Sequence, residues 1–361
     1  MPLEFIYVTR HGFRPAFTVD PASGTYTTAI LSPTGVPTDP PLTSYGVEQA
    51  NELAQRLLKL DPPIGRIYSS PYYRCLQTIN PFVAKYNETS ETVSNSKAHL
   101  AAIRVEKGIG EWFGLAPWNH PASAPLSKLQ ELFPDIDANY VSQVTPPSHG
   151  ESLSELHDRV ASAMDAIIAQ CDKEGIRAIV LSSHAAVVIA LGRVLTGRMP
   201  ERVEEEDFAA FTCGLSIYRR RNSHSGRQTD TSERQPMAAP DRLADDSAIS
   251  GITQMSGAGA AAGADMQAAG TSDHPSGCSP GPSWRGGLGV QGGWDCELDS
   301  DCSFLKGGPE RGWRFSGDES FSAVGRQNLA GSNAGLGVDV EVPKSERRGK
   351  HDQPIVDSSK L

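Results

Sequence analysis

The sequence has no apolar run of about 18 residues anywhere in its 361 positions, so no helical membrane span is expected. It also lacks a basic excess: 33 Lys and Arg face 43 Asp and Glu, a net charge of −10. Direct nucleic-acid binding and an anionic membrane surface are therefore not expected, and any anionic ligand must meet a local cationic pocket. Its six cysteines form no C-x-x-C pair, which suits free thiols in a reducing compartment, cytoplasmic or nuclear and not secreted. The opening "MPLEFIYV" lacks a basic stretch and a cleavage site, so no signal peptide is expected, and the sequon at Asn87 reads as silent. Cys296 and Cys302 have no second ligand pair, so no metal is expected there.

Other absences exclude whole chemistries. The Ala/Gly run before residue 270 is not followed by Gly-Lys-Ser/Thr, so it is no phosphate loop. There is no G-x-S-x-G elbow to activate Ser182 or Ser183. Cys75 precedes no glycine-rich anion loop leading to an arginine, which argues against a cysteine phosphatase.

Glycine (35) and proline (26) are plentiful and unevenly spread. Up to Arg221 the chain mixes aliphatic, aromatic and charged residues as a folded domain does, and residues 1–221 are expected to form the catalytic domain. Residues 222–283 read as a disordered low-complexity linker, 284–321 as a Gly/aromatic segment that is a candidate docking module for a protein partner, with a short add-on of strands or disorder as the alternatives, and 322–361 as a disordered tail.

Within the first part, strands alternate with helices. Phe5 to Val8 is a β-branched and aromatic run ended by "TRHGFRP"; Pro15 to Pro41 reads as a long loop; Thr43 caps a helix carrying Val47, Ala50, Leu53, Ala54, Leu57 and Leu58. A second junction, "RIYSSPYYRCLQTI", runs from a strand at Ile67 to Ser69 into a helix. Ser94 to His149 has weak periodicity and reads as an insertion over one end of the sheet, and Glu151 to Cys171 as a helix. The third junction is "RAIVLSSHAAVVIALGRVLTG", a strand from Ala178 to Leu181 and a buried helix from Ala185 to Leu195; a last strand covers about Phe208 to Tyr218. This alternation implies an α/β fold, a three-layer α/β/α sandwich on a mostly parallel sheet, with ligands beyond the C-terminal strand ends.

Those ends deliver Arg10 and His11, then Arg74, then His184, with Arg14 one turn beyond. Guanidinium groups match phosphoryl oxygens with paired hydrogen bonds, and fixed positive charge is what a phosphoryl-transfer transition state needs. One neutral imidazole can then attack phosphorus while another donates to a non-bridging oxygen, and arginine can supply the positive field without a metal or other cofactor. Glu111, in "GIGEWFG", is the candidate acid for the leaving alkoxide, its pKa expected to be raised by Trp112 and Phe113. Glu106 and Glu151 compete for that role, and Glu151 reads as part of a first helical turn.

The ordered set "RHG", "PLTSYGVEQA", "YSSPYYRCLQT", "GEWFG", "HGESLSEL" and "SHAA", spanning about Leu3 to Tyr218, resembles the histidine phosphatase superfamily, also called phosphoglycerate-mutase-like. The resemblance implies that His11 is a nucleophile forming phosphohistidine, that Arg10, Arg74 and His184 bind phosphate with Arg14 assisting, and that Glu111 is the acid/base. It implies phosphomonoester hydrolysis on a phosphorylated small molecule or protein. Mutase-type phosphoryl transfer is an alternative. The arrangement of domain, linker and C-terminal aromatics also resembles a fungal subunit of the RNA polymerase III initiation factor, which implies a scaffold role as a further alternative.

Overall fold

The computed structural model describes residues 2–94, 101–221 and 282–317, with backbone alone for 90–94 and 338–340. Apart from residues 282–283, the linker expected over 222–283 lies outside these residues, and so does the tail expected over 322–361 apart from the backbone of 338–340.

Six strands form the central sheet in the order β5-β4-β6-β1-β7-β8. They are β1 (Phe5–Arg10), β4 (Arg66–Ser69), β5 (Ile103–Val105), β6 (Ala178–Ser183), β7 (Leu215–Arg220) and β8 (Trp294–Asp301). β5, β4, β6 and β1 run parallel, and β7 and then β8 add antiparallel pairings at the far edge. The register places Arg10 beside Ser183 and Ser69 beside Ser182, so the three junctions end at one level.

Side chains alternate across the sheet as a strand's two-residue period requires. Ile6, Val8, Ile179 and Leu181 face α4 (Leu153–Glu174) and α5 (Ala185–Thr196), while Tyr7, Ile67 and Val180 face α1 (Ser44–Leu57) and α2 (Tyr73–Ser94). The three-layer α/β/α architecture is thereby established. α1 starts where Thr43 Oγ1 accepts the Gly46 amide at 3.1 Å. A Cβ on Gly46 would lie 2.1 Å from the Phe13 carbonyl oxygen, so that glycine lets α1 press against the turn after β1.

Several expectations need correction. The loop expected over Pro15 to Pro41 contains a hairpin, β2 (Phe17–Asp20) with β3 (Thr25–Thr28), paired through Thr18 and Thr27. The expected insertion supplies β5 and a short helix, α3 (Leu126–Leu132). The strand expected from Phe208 begins at Leu215, because Cys213 adopts a left-handed backbone (φ 54°) that ends the preceding segment. Glu151 lies before α4, whose N-cap is Ser152 in a reciprocal capping box with Glu155.

The largest correction concerns 284–321. Over its described residues this segment is no separate module. β8 completes the sheet, β9 (Gly312–Arg314) pairs with β10 (Val338–Val340), and Trp284, Trp294, Trp313 and Phe315 are buried in the core formed with α4 and α5. The physical reason lies in α5, AAVVIALGRVLT, which is buried around its whole circumference. A helix apolar on every side needs cover on every side, and β8 and β9 pack against it. The boundary expected at residue 221 therefore falls too early.

Burying a large apolar side chain contributes about 1.5–3 kcal/mol, so these four aromatics carry on the order of 6–12 kcal/mol, comparable to a whole domain's stability. A chain ending at Arg221 is expected to lose its cooperative melting transition by scanning calorimetry. A truncated chain that melts like the full one would refute this account of the core.

Candidate active site

At the end of β1 the His11 imidazole is buried, and its Nδ1 lies 2.8 Å from the Gly12 carbonyl. A carbonyl only accepts, so Nδ1 carries the proton and Nε2 keeps its lone pair. Burial, followed by the charges of Arg74, Arg10 and Arg14, holds the His11 pKa well below the ordinary imidazole range. The ring is neutral at neutral pH, the state a nucleophile requires.

Arg10 is buried beside it. Its Nη1 donates to the carbonyl of Ala210 at 2.7 Å and to that of Arg311. Arg14 donates to the Pro15 carbonyl at 2.9 Å and stacks on Phe17, while its Nε is buried without a hydrogen-bond partner. Burial and the neighbouring guanidinium groups lower its pKa to about 9, which leaves it cationic at neutral pH.

Arg74, near the start of α2, is fully buried. Nη1 donates to the Thr38 carbonyl at 2.9 Å and to Asp39 Oδ1 at 3.0 Å, and Nη2 donates to Glu111 Oε2 at 2.7 Å. Asp39 also accepts the amides of Tyr73 and Arg74. Its burial raises the carboxyl pKa against the opposing pull of Arg74.

His184 occupies the N-cap position of α5 and is fully buried, its ring centroid 5.5 Å from that of His11. Nδ1 lies 3.1 Å from Glu111 Oε2, and Nε2 lies 2.7 Å from Ser70 Oγ. A carboxylate can only accept, so Nδ1–H donates to Glu111 and Nε2 accepts from Ser70. Arg74 Nη2, 3.1 Å from the same Nδ1, is held there by its own bond to Glu111. Burial, with Arg74, lowers the His184 pKa to about 4 despite the pull of Glu111.

Glu111 therefore joins the acid loop to both Arg74 and His184. The expectation of a raised pKa is reversed. Burial does push it up, but His184, Arg74 and Arg14 outweigh burial and hold the carboxyl well below the usual range. The loop is pinned from behind: Arg159 donates to Glu151 Oε1 from Nε at 2.8 Å and to the carbonyls of Gly108 and Gly110 from Nη1, and the Trp112 indole donates to the Glu151 carbonyl. Glu151 is thus a support for the loop. Glu106 has a similar task, accepting from Gly108 N, Tyr140 Oη and Ser142 Oγ.

A pocket of about 110 Å³ opens at this point, lined by Arg10, His11, Arg14, Glu111, Thr212 and Arg311 among others. A larger, mainly apolar cleft of about 710 Å³ shares Glu111 with it and runs past Tyr72, Phe113 and Leu129. All six expected residues come together, but in two layers: Arg10, His11, Arg14 and Glu111 face the open space, and Arg74 and His184 stand behind Glu111. Asp39, Ser70, Thr212 and Arg311 were missed. No local pattern marks Asp39, whose partner Arg74 is 35 positions away, whereas "YSSP" held the signal for Ser70.

Comparison with known proteins adds the family. The model of the histidine phosphatase superfamily (branch 1) matches residues 6–226. The chain belongs to this superfamily. It is 33% identical over 228 residues to the transcription factor tau 55 kDa subunit of Saccharomyces cerevisiae, covering 60% of this chain and 48% of that protein. It is 29% identical over 219 residues to the ecdysteroid-phosphate phosphatase of Drosophila melanogaster, covering 55% of this chain and 28% of that one. The chain thus spans half or less of the length of these curated relatives. Among solved structures it matches the ecdysone phosphate phosphatase of Bombix mori in complex with tungstate at 22% identity and a TM-score of 0.43, over 60% of this chain and 89% of that one. None of the described helices is long and apolar enough to cross a membrane.

Two outcomes test the network. Asp39→Ala strands Arg74 as a buried charge with one partner fewer, and chemical denaturation should show a loss of about 3–5 kcal/mol; a loss below about 1 kcal/mol would mean that Arg74 does not depend on Asp39. Acid should also weaken the fold. Burial lowers the pKa of His184 and of His157, which is buried on α4 with Nδ1 on the Leu153 carbonyl, from 6.5 to about 4, so below pH 6.5 the unfolded chain binds protons that the folded chain refuses. Their contribution is intact above pH 6.5 and is lost as pH falls toward 4, by roughly 3 kcal/mol each. His157→Gln should make the stability–pH slope between 6.5 and 4 shallower, and an unchanged slope would contradict the assignment.

Proposed function

We propose that this domain hydrolyses phosphate monoesters through a phosphohistidine formed on Nε2 of His11. The observation that carries the reading is His11 itself: a buried imidazole, held neutral among guanidinium groups, with Nδ1–H tied to Gly12 and Nε2 left as a base.

In the ligand-free site the Glu111 carboxylate occupies the donors of Arg74 and His184. An arriving phosphoryl group competes for those donors, and its negative charge raises the pKa of Glu111. A substrate that binds as its monoanion brings one proton, which passes to Glu111 and leaves the phosphoryl dianion among the arginines. The Nε2 lone pair then forms the N–P bond as the P–O ester bond breaks, and the departing oxygen takes its electron pair and the Glu111 proton. In the second half Glu111 accepts a proton from water, the water oxygen bonds phosphorus and the N–P bond breaks; the product takes the Glu111 proton and leaves as the phosphate monoanion, which returns Glu111 to the carboxylate and His11 to the neutral imidazole. Arg10, Arg14 and Arg74 stabilise the charge on the equatorial oxygens. The adjoining apolar cleft gives room to the remainder of the alcohol.

A second reading has one specific support, the 33% identity to a transcription factor subunit: the chain also acts as an assembly subunit, with a nuclear location. Trp284, Trp294, Trp313 and Phe315 are not free for that role, because they are buried in the chain's own core. A His11→Ala variant would keep an assembly function while losing turnover.

For the main reading, the full chain should release phosphate from p-nitrophenyl phosphate and trap an acid-labile phosphoenzyme on rapid quenching. His11→Ala should lose both, by 10²-fold or more in kcat. Glu111→Gln should slow alkyl phosphates, whose leaving groups need the proton, about 10²- to 10⁴-fold, and nitrophenyl phosphate much less. No turnover with a broad ester panel, from a normally folded chain, would sink the proposal.

A further inference from the structure

The two cavities at the site differ in kind. The pocket of about 110 Å³ is lined by His11, Arg10 and Arg14, whereas the cleft of about 710 Å³ beside it is walled mainly by hydrocarbon, and Glu111 alone lines both. Under the mechanism above, the departing oxygen takes the Glu111 proton. That oxygen therefore sits where the cavities meet, and whatever it carries faces the cleft.

The cleft is apolar from floor to mouth. Tyr72, Phe113, Ala124 and Leu129 are buried in its floor, while Leu126 and Val141 at its mouth are 37% and 77% exposed. Large apolar side chains left in water beside a concave apolar site mark a surface that a ligand covers.

The charged groups along the cleft are committed elsewhere. Both carboxylate oxygens of Glu151 accept from Arg159. His120 donates from Nε2 to the Gly114 carbonyl at 2.9 Å and accepts at Nδ1 from the Tyr26 hydroxyl at 2.7 Å. Burial lowers its pKa from 6.5, so the ring is neutral at neutral pH. Lys107 is the one lysine or arginine among the lining residues, and it is exposed. A second anionic group on the alcohol would lose hydration in the cleft without gaining a buried cation, and a peptide would bring amides that the apolar floor leaves without partners.

We propose that the cleft is the leaving-group site, and that the preferred substrates are phosphate monoesters of uncharged small-molecule alcohols with a large hydrocarbon body. The volume lies in the range of about 300–1,000 Å³ that encloses most of a drug-sized molecule. The proposal rests on the phosphate-binding reading of the adjoining pocket but does not require turnover.

Calorimetric binding of n-alkylphosphonates to the full chain tests it without an ester bond. Each methylene that enters an apolar cleft should tighten binding about two- to fourfold, so octylphosphonate should bind at least about 100-fold more tightly than methylphosphonate. Inorganic phosphate should displace it. Phosphonopropionate, which sets a carboxylate in place of the hydrocarbon, should bind no more tightly than methylphosphonate. Leu126→Asp and Val141→Asp, made singly at exposed positions away from the reacting groups, should each weaken octylphosphonate by roughly 10-fold, the loss expected for a charge set against the bound hydrocarbon. Methylphosphonate binding should be unchanged in both variants, which also reports that they fold.

Affinity that does not rise with chain length, a rise that survives in both variants, or octylphosphonate that phosphate fails to displace overturns the proposal. So does phosphonopropionate, or a peptide carrying phosphonomethyl-phenylalanine, that binds as tightly as octylphosphonate. If the chain-length dependence holds but no ester is turned over, the hydrolytic reading fails and the apolar site stands. Turnover with a flat series keeps the hydrolytic reading and removes the site.

Discussion

Arg74 carries a permanent charge with no contact to water, and the site is organised by the need to meet that charge. Leaving a guanidinium buried and alone would cost several kcal/mol. Its partners come from far apart: Thr38 and Asp39 ahead of α1, Glu111 from the acid loop. Satisfying one side chain thus draws two irregular segments over the ends of the strands. The supports behind them follow the same logic, with Arg159 and Glu151 fixing the acid loop so that Glu111 reaches Arg74. The pocket is the space left once these loops have closed around a charge.

Charge also explains why the second layer is buried. His184, Arg74 and Glu111 lie within 3.1 Å of one another, where each group's protonation depends on its neighbours. Burial keeps the imidazole neutral, and the arginine keeps the carboxyl ionised. In water these preferences would be screened. Behind the pocket wall they persist, which is how the Glu111 carboxylate holds the donors of Arg74 and His184 in place.

What could be read from the sequence follows from locality. Each of the three buried strands is followed at once in the chain by the side chains it delivers, so Arg10, His11, Arg74 and His184 were legible, as were the parallel sheet and the buried α5. Asp39 was not, because its value depends on Arg74, 35 positions away. The direction of the Glu111 shift was missed for a related reason: Trp112 and Phe113 are visible beside it in the chain, while the cations that outweigh burial arrive from other elements. β8 had a local signal, since Trp294, Cys296, Leu298 and Ser300 alternate with acids, and added strands were one reading of the segment; its place at the sheet edge was not legible, because its partner β7 lies far away in the chain. Those acids face outward, and Arg219 and Arg221 on and beside β7 pair with Glu297 and Asp295.

The C-terminal segment then links core and chemistry in one stroke. α5 begins at His184 and is apolar all round, so the helix that places one imidazole also demands the cover that β8, β9 and their aromatics provide. That cover brings the Arg311 carbonyl onto Arg10 and the Arg311 side chain to the pocket. A packing requirement around α5 therefore bears on the position of two arginines at the pocket. Changes in the buried aromatics, made far from His11 in sequence, would shift the geometry of the pocket through Arg10 without touching a reacting atom.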